Sequence, residues 1–298
     1  MMKILDGRVM AEKIKDRLVQ EIIALNSNCP LSNGQSSLVG ERPNLAIILA
    51  GDSEESALYV KLKQQEAQKV GIDTHLYRFS PDVPEKDILD TLAYLNQDDL
   101  IDAVLVQLPL PAGLDADKII GALNPEKDAD CFHPKNITRL NSGGADQILP
   151  PVYQAVLALL QETGEPLKGK KIVILAKAKV FGQPFADYFS RGGADSRFFQ
   201  PDQPEWPRFA KAADIIISAV GHKHFLTGAM IKKGAALIDI GITKEGAKVF
   251  GDVDAESVKE QAAFLSPVPG GVGPLTIAML FANTLRLYRQ GRGAKMEY

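Results

Sequence analysis

The sequence predicts an α/β protein with two domains, each built around a parallel sheet. Three observations lead to this prediction. The chain has 298 residues, which is enough for two domains. Short apolar runs typical of buried parallel strands, such as 45–50 and 215–220, alternate with helical patterns in both halves. A segment rich in Gly, Asn and Pro at 136–151 separates the two series, as expected of a domain boundary.

The first half begins with a predicted helix at 7–25, and a polar segment at 26–43 follows that we interpret as a long loop. After the strand at 45–50, Ser53 has the character of an N-cap for the next helix, and Gly71 is expected to end it. The remaining predicted elements are strands at 74–79 and 103–107 and helices at 85–96 and 115–123. This β-α-β-α-β series predicts a parallel sheet with right-handed crossovers.

The second half has the outline of a Rossmann-like, doubly wound dinucleotide-binding domain. A helix at 153–162 is expected to connect it to the N-terminal α/β substrate domain. Its predicted elements are strands at 171–175, 196–199, 214–220 and 235–240 and helices at 184–191 and 275–289. We place the substrate domain at 1–147, with a C-terminal helix at 275–298 packing back on it, and the dinucleotide-binding domain at 148–274.

Composition excludes several classes of protein. The net charge of −3 does not indicate a basic surface of the kind that binds nucleic acid or a membrane. The longest apolar runs are too short to span a bilayer, and the first residues lack the apolar core of a signal peptide. Neither cysteine, Cys29 nor Cys131, lies in a complete metal-ligand pattern. We therefore predict no metal site, no membrane or nucleic-acid partner, and a reducing, cytoplasmic compartment.

Tyr59 and Lys63 lie four residues apart in a predicted helix, which puts a ring and an amine on one helical face. A flat heteroaromatic substrate could stack on the ring while the amine reaches its reacting carbon. Taken alone, the pair is more typical of an ordinary amphipathic helix with a half-buried Tyr and solvated lysines. The functional interpretation therefore depends on three further segments.

The first two of these segments carry an amide and a carboxylate. Gln107 ends a buried strand within the run Val106 to Pro111, at the edge where parallel sheets place ligands. It could hold the amine of Lys63 or a substrate carbonyl, or it could be a solvated strand end. Asp130 could accept two adjacent N–H donors of an amino-pyrimidine edge, or it could be a turn residue in a charged loop.

The third segment is the glycine-rich run Ser266 to Thr276. Gly270, Gly271 and Gly273 would allow the main chain to approach a flat ligand closely. The run leads into a predicted helix with Thr276 in its first turn, a position that suits a polar or anionic group. A purely structural turn would not need so many glycines.

Five stretches together resemble the family of bifunctional methylenetetrahydrofolate dehydrogenases/methenyltetrahydrofolate cyclohydrolases. Their order and spacing extend over nearly the whole chain. They are Tyr59–Lys63, Gln107–Pro111, Lys127–Asp130 with Phe132–Pro134, Gly251–Asp254 and Pro267–Pro274.

The resemblance implies that Lys63 is the catalytic amine, that Gln107 holds it, that Tyr59 stacks on the pterin and that Asp130 binds the pterin edge. The implied substrate-binding residues also include Val106, Leu108, Pro269, Gly270, Gly271, Val272 and Gly273. It further implies oxidation of 5,10-methylenetetrahydrofolate with NADP or NAD, hydrolysis of the methenyl product to 10-formyltetrahydrofolate, and a homodimer formed through the nucleotide half.

The nucleotide half departs from the family pattern. Where the family has Gly-Arg-Ser after the first strand of that half, this chain has Ala176, Lys177 and Ala178; Gly182 and Pro184 remain. Lys177 keeps the charge expected near the 2′-phosphate of NADP but lacks the guanidinium fork. The cofactor-binding residues predicted from the resemblance are Ala176, Lys177, Ala178, Gly182, Ile242 and Thr276.

Other departures are smaller. Tyr153 ends a Pro-Pro-Val-Tyr run in place of Pro-Cys-Thr-Pro, and Cys131 stands in place of a Gly. Asp202 could bind a ribose diol, although an Asp after a Pro is more often a turn residue.

Four hypotheses follow from these observations. We favour a bifunctional enzyme with a retuned cofactor preference. The alternatives are a cyclohydrolase with weak or lost dehydrogenase activity, a non-catalytic folate- or nucleotide-binding regulator, and a two-domain dehydrogenase acting on another small substrate such as a hydroxy acid.

Overall fold

The computed structural model describes residues 2–27, 42–143, 147–246 and 248–292. Most of the loop predicted at 26–43, including Cys29, lies outside these residues. The chain divides into two compact units. We call them the six-stranded unit (Met1–Ala11 and Thr138–Thr276) and the three-stranded unit (Glu12–Ile137 and Ile277–Tyr298).

The helices and strands are numbered in chain order. The helices are α1 (Gly7–Ser27), α2 (Glu54–Val70), α3 (Glu85–Gln97), α4 (Ala116–Ala122), α5 (Pro134–Ser142), α6 (Pro151–Gln161), α7 (Lys179–Arg191), α8 (Trp206–Ala210), α9 (Ala255–Val258) and α10 (Val272–Gly291). The strands are β1 (Lys3–Ile4), β2 (Asn44–Ala50), β3 (Asp73–Phe79), β4 (Ala103–Val106), β5 (Lys171–Ala176), β6 (Asp195–Phe199), β7 (Ile215–Ala219), β8 (Ala236–Asp239), β9 (Thr243–Glu245), β10 (Lys248–Phe250) and β11 (Phe264–Leu265).

The three-stranded unit has a parallel sheet of order β3-β2-β4. Side chains of α3, among them Ile88, Leu92 and Leu95, are fully buried in a cluster with apolar residues of β2 and β4. Because β3 and β4 flank β2 on opposite sides, the carboxyl ends of β2 and β4 form a topological switch point, the place where such sheets bind ligands. Gln107 follows β4 at this edge.

Local signals set the ends of α2. The Ser53 side chain accepts a hydrogen bond from the Ser56 N–H at 3.3 Å, which caps the helix start. Gly71 adopts the left-handed conformation, with φ of 87°, and its N–H bonds to carbonyls of the last turn. Both predicted boundary residues are confirmed.

The six-stranded unit has an all-parallel sheet of order β1-β11-β8-β7-β5-β6. After β6 the chain crosses to the other side of β5, so a second switch point lies between the carboxyl ends of β5 and β7. This topology confirms the predicted doubly wound sheet. The strand β1 is unexpected: the Lys3 N–H bonds to the Ala263 carbonyl at 2.8 Å and the Leu5 N–H to the Leu265 carbonyl at 2.9 Å.

Two residues of strand give no alternation pattern, so β1 left no sequence signal. Its pairing places residues 1–11 in the six-stranded unit, whereas the predicted boundary at 147 assigned them to the other domain. The helix α5 likewise occupies part of the segment at 136–151 that we interpreted as a boundary.

Two helices begin earlier than predicted. The helix α7 begins at Lys179 rather than Pro184, because the N–H groups of Phe181 and Gly182 already bond to the Ala178 carbonyl. The helix α10 begins at Val272 rather than at 275, since a proline in the first turn of a helix removes no intrahelical hydrogen bond. Among the described residues, no helix is long and apolar enough to cross a membrane.

Candidate active site

Lys63 and Gln107 meet at the switch point of the three-stranded unit. The Nζ of Lys63, on α2, donates a hydrogen bond of 2.9 Å to Oε1 of Gln107. The Nε2 of Gln107 donates to the Leu108 carbonyl at 2.7 Å, which fixes the amide with its oxygen toward the amine. Both side chains are half-buried, so the amine is held by the protein and remains reachable by a ligand.

Burial shifts the protonation equilibrium of Lys63 toward the free amine. Burial lowers the pKa of Lys63, and the nearby charge of Asp130 opposes this shift. Burial raises the pKa of Asp130 to about 6; the charge of Lys63 acts against this shift and that of Asp128 adds to it. Each of the two charges therefore acts on the pKa of the other group.

Asp128 positions the loop that carries Asp130. It is buried, and its carboxylate accepts hydrogen bonds from the Cys131 N–H at 2.9 Å and from the His133 N–H at 2.8 Å. Asn136 adds a third bond at 3.0 Å. The sequence indicated a role for Asp130 but none for Asp128. The missing information was the burial, which makes these bonds necessary to satisfy the carboxylate.

Cys131 stands where the family pattern has a glycine, and its backbone shows how this departure is accommodated. Its φ is 58°, in the left-handed region where glycine is the usual residue. The side chain is buried, and Asn283 donates to the Ala129 carbonyl at 2.9 Å and approaches the Cys131 Sγ at 3.7 Å. The turn therefore keeps the conformation that a glycine would adopt.

Tyr59 lies one helical turn before Lys63 and is half-buried. Burial raises the pKa of its phenol, with a smaller contribution from Glu55. Val106 is buried at the end of β4, whereas Leu108 is 41% exposed beside Gln107. An exposed apolar side chain and a half-buried ring are what a flat ligand needs for stacking.

The glycine-rich loop belongs to the six-stranded unit. Gly270 has φ of 111°, and a Cβ atom added there would lie 2.8 Å from Nε of Arg8. A Cβ atom at Gly271 would lie 2.7 Å from the Pro267 carbonyl oxygen. The left-handed backbone conformation favours glycine at position 270, and packing against the main chain requires glycine at 271, whereas we had explained both glycines by close approach of a ligand. Gly273 has nothing within 4 Å of such an atom.

Thr276 occupies the second turn of α10, so its predicted place in the first turn is wrong. The helix starts at Val272, and the Thr276 hydroxyl donates to the Val272 carbonyl at 3.0 Å. This bond uses the only donor of the side chain.

The second switch point brings together two of the residues predicted to bind the cofactor, Lys177 and Ile242. A Cβ atom added at Gly221, after β7, would lie 3.9 Å from Nζ of Lys177 and 4.0 Å from the Ile242 carbonyl oxygen. Lys177 and Ala178 are exposed at the end of β5. The preceding residue, Ala176, is only 1% exposed, so its methyl group is part of the core.

These residues fit a dinucleotide. No side chain caps the N-terminus of α7 at Ala178, which leaves its first N–H groups to bind an anion such as a pyrophosphate. Lys177 supplies a cation beside them. Gly182 contributes packing, because a Cβ atom there would lie 2.1 Å from the ring of Phe198 on β6. Close seating of this helix on the sheet is the usual role of the last glycine of such motifs.

Tyr153, the last residue of the altered Pro-Pro-Val-Tyr run, is packed in the interior of the six-stranded unit. Its ring stacks on that of Phe185 with centroids 3.8 Å apart, and its hydroxyl donates to the Phe181 carbonyl. The residue is fully buried. Within the parts of the chain that the structure describes, no group of three or more His, Cys, Asp or Glu side chains could hold a metal ion.

Two family models match the chain. The family model described as "Tetrahydrofolate dehydrogenase/cyclohydrolase, catalytic domain" matches residues 5–130, and the model of its "NAD(P)-binding domain" matches 150–292. The "Bifunctional protein FolD" of Hydrogenobaculum is 37% identical over 290 residues, which cover 97% of this chain and 99% of the relative.

Solved structures give the same result. The bifunctional FolD enzyme of Campylobacter jejuni superposes with a TM-score of 0.89 at 34% identity and covers 97% of this chain and 99% of its own. The Trypanosoma brucei FolD, solved with NADP and an inhibitor, also has a TM-score of 0.89, at 30% identity, and covers 97% of this chain and 98% of its own. The match to the model of the NAD(P)-binding domain includes Ala176, Lys177 and Ala178, which depart from the family's Gly-Arg-Ser pattern.

Proposed function

Because the chain belongs to the tetrahydrofolate dehydrogenase/cyclohydrolase family, we propose that Lys63, Gln107, Asp130 and Tyr59 carry its folate chemistry. The protein is a bifunctional enzyme of one-carbon metabolism. It oxidises 5,10-methylenetetrahydrofolate to the methenyl form with NAD(P) and hydrolyses that form to 10-formyltetrahydrofolate. The match of both halves disfavours a dehydrogenase for another substrate.

Hydrolysis requires water to add to the methenyl bridge carbon and to lose a proton. Lys63 in its neutral form is the group that accepts this proton, because its lowered pKa makes the free amine available. Gln107 holds the amine through its side-chain oxygen, at 2.9 Å. A neutral amide can accept this bond without adding a negative charge that would raise the pKa of Lys63 again.

Asp130 and Tyr59 bind the pterin. The carboxylate of Asp130 accepts two N–H donors of the amino-pyrimidine edge, and the Tyr59 ring stacks on its face. Leu108, exposed beside Gln107, extends the apolar contact. That residues 269–273 also contact the folate stays a prediction from the family resemblance.

NADP supplies the hydride acceptor when it is bound. Lys177 would pair with the 2′-phosphate, and the open N-terminus of α7 would hold the pyrophosphate. Gly221, which follows β7 and lies close to Lys177 and to the Ile242 carbonyl, would form the opposite wall of this binding region. An ammonium binds a phosphate as a point charge, so discrimination against NAD is expected to be weaker than with an arginine.

The hydrogen bond between Lys63 and Gln107 is the observation that carries the proposed function. A direct assay of both reactions tests that function. Purified protein is given 5,10-methylenetetrahydrofolate with NADP or with NAD, and methenyl formation is followed by absorbance. In a second assay, methenyltetrahydrofolate alone is supplied and its hydrolysis is followed. Both reactions are expected in wild type, and hydrolysis without any oxidation would contradict the bifunctional assignment.

Two finer points complete the proposal. We propose a homodimer, as the family resemblance implies, which light scattering of the purified protein tests. We also propose a cytoplasmic location, because a chain with only two cysteines suits a reducing compartment.

A further inference from the structure

We propose that Asp252 is a positioning residue for the dinucleotide: its buried carboxylate fixes the Val220–His222 turn that forms one wall of the second switch point. The inference rests on the proposed cofactor site. Asp252 would not touch the cofactor itself. It belongs to the Gly251–Asp254 stretch, for which sequence reasoning found no chemical role.

The carboxylate of Asp252 accepts one hydrogen bond from β7 and two from this turn. Its Oδ2 accepts hydrogen bonds of 2.7 Å from the Ser218 hydroxyl and of 2.7 Å from the Val220 N–H. Its Oδ1 accepts a bond of 2.9 Å from the His222 N–H. Asp252 and Ser218 are both 0% exposed. The two backbone donors flank Gly221, the residue that faces Lys177.

A second buried carboxylate holds Asp252 in place. The Oδ1 of Asp239 accepts from the Asp252 N–H at 3.1 Å, and its Oδ2 accepts from the Val253 N–H at 2.8 Å. Two glycines make room for the pair. A Cβ atom at Gly241 would lie 1.9 Å from the Asp252 carboxylate, and one at Gly251 would lie 2.0 Å from that of Asp239.

The position of the turn explains why it needs such support. Gly221, directly after β7, has φ of 64°, a left-handed conformation that favours glycine. Ligands of doubly wound sheets bind at the carboxyl ends of the strands next to the switch point, which here are β5 and β7. Displacement of the turn toward Lys177 would narrow the space available to the dinucleotide, whereas displacement away would remove its wall.

An asparagine cannot replace this carboxylate. Both oxygens of Asp252 face N–H donors that belong to the backbone and cannot rotate. In either orientation of an asparagine side chain, its NH₂ group would face one of these donors. Asp252→Asn should therefore release one side of the turn while changing the side-chain volume little.

The test is equilibrium titration of each variant with NADP, without folate, at a temperature where all variants are folded. Asp252→Asn is expected to raise the Kd for NADP about tenfold, as loss of one buried charge-assisted bond in the support would do. Asp254→Asn is the matched control from the same stretch. Asp254 caps α9, where Asn serves equally well, so its Kd should stay within about twofold of wild type.

A second control separates positioning from general destabilisation. Val173→Ala removes buried apolar groups from β5 and is expected to lower Tm. If Val173→Ala lowers Tm as much as Asp252→Asn does and weakens NADP equally, or if Asp252→Asn binds NADP as tightly as wild type, the inference fails. If wild type itself does not bind NADP, the proposed cofactor site fails instead.

Amide hydrogen exchange of wild type tests the same idea should Asp252→Asn not fold. Addition of NADP is expected to slow exchange of the Val220 and His222 amides, which bond to Asp252, more than that of the Val253 amide, which bonds to Asp239. Equal slowing at all three amides, or none, would overturn the proposal.

Discussion

The Nζ of Lys63 lies 2.9 Å from the Oε1 of Gln107, so a helix and a strand end 44 residues apart in sequence share one hydrogen bond at the edge of a parallel sheet. The amide holds the amine while burial lowers the pKa of Lys63. A lower pKa makes the free amine more available, and we therefore propose Lys63 as the base for hydrolysis of a methenyl bridge.

Lys63→Met should abolish methenyl hydrolysis while the protein stays folded. Removal of a general base typically costs a factor of about 10²–10⁴ in rate. The measurement is the loss of methenyl absorbance after subtraction of the uncatalysed rate, with circular dichroism as the check on folding. Lys61→Met, an exposed lysine on the same helix, should retain wild-type turnover. Wild-type turnover in Lys63→Met would exclude the proposed role.

Asp130→Asn should shift the pH dependence of hydrolysis to lower pH. The charge of Asp130 raises the pKa of Lys63, so its removal lowers that pKa further and makes the amine neutral at lower pH. The ascending limb of kcat against pH should therefore move down, while the KM for folate rises because the pterin edge loses its acceptor. An unchanged limb would show that the two groups do not interact.

Gln107→Glu should move the ascending limb of kcat against pH to higher pH. A carboxylate at this position would lie beside the ammonium form of Lys63 and stabilise it, which raises the pKa of Lys63. A higher pH would then be needed for the free amine. The profile is measured as for Asp130→Asn, and a shift of the Gln107→Glu limb to lower pH would contradict the assigned role of the amide.

Gly182→Ala should destabilise the six-stranded unit. The added methyl group would lie 2.1 Å from the ring of Phe198, and overpacking of this kind costs about 1–3 kcal/mol. Thermal unfolding measures the loss, and Phe198→Ala in the same chain should recover part of it. Gly121→Ala, in α4 with nothing within 4 Å, should leave Tm unchanged or raise it. Equal Tm values for Gly182→Ala and wild type would refute the packing role.

Lys177→Ala should weaken NADP binding about tenfold and NAD binding much less, as expected for the loss of one charge pair with a phosphate. The difference should shrink at high salt, because exposed charges are screened. Lys168→Ala, before the amino end of the same strand, is the control with an equal change in net charge. An equal loss for NADP and NAD would place Lys177 away from the 2′-phosphate.

The spacing of apolar residues and the positions of capping and helix-ending residues were enough to locate most strands and helices. Ser53 and Gly71 were identified as the ends of α2 from their residue types alone, since capping and the left-handed conformation are local properties. Helix starts near prolines were misplaced, as at Pro184, because hydrogen bonds formed ahead of the proline decided the start.

Long-range contacts could not be predicted in this way. The pairing of β1 with β11 joins residues about 260 positions apart and has no periodic signature. The requirement for Gly271 and the use of the Thr276 hydroxyl came from packing and from the true start of α10. Residue type told us that these positions were special, but not which neighbour made them so.

The sequence by itself determined the class of fold and the family, because strand and helix patterns and short motifs depend on the local order of residues. The reactive groups that it named stay a prediction. Tertiary structure alone decided that Gln107 faces the amine of Lys63, that Asp128 supports Asp130, and that Asp252 holds the turn after β7. These relationships depend on burial, which raises the cost of every unpaired polar group and so selects its partner.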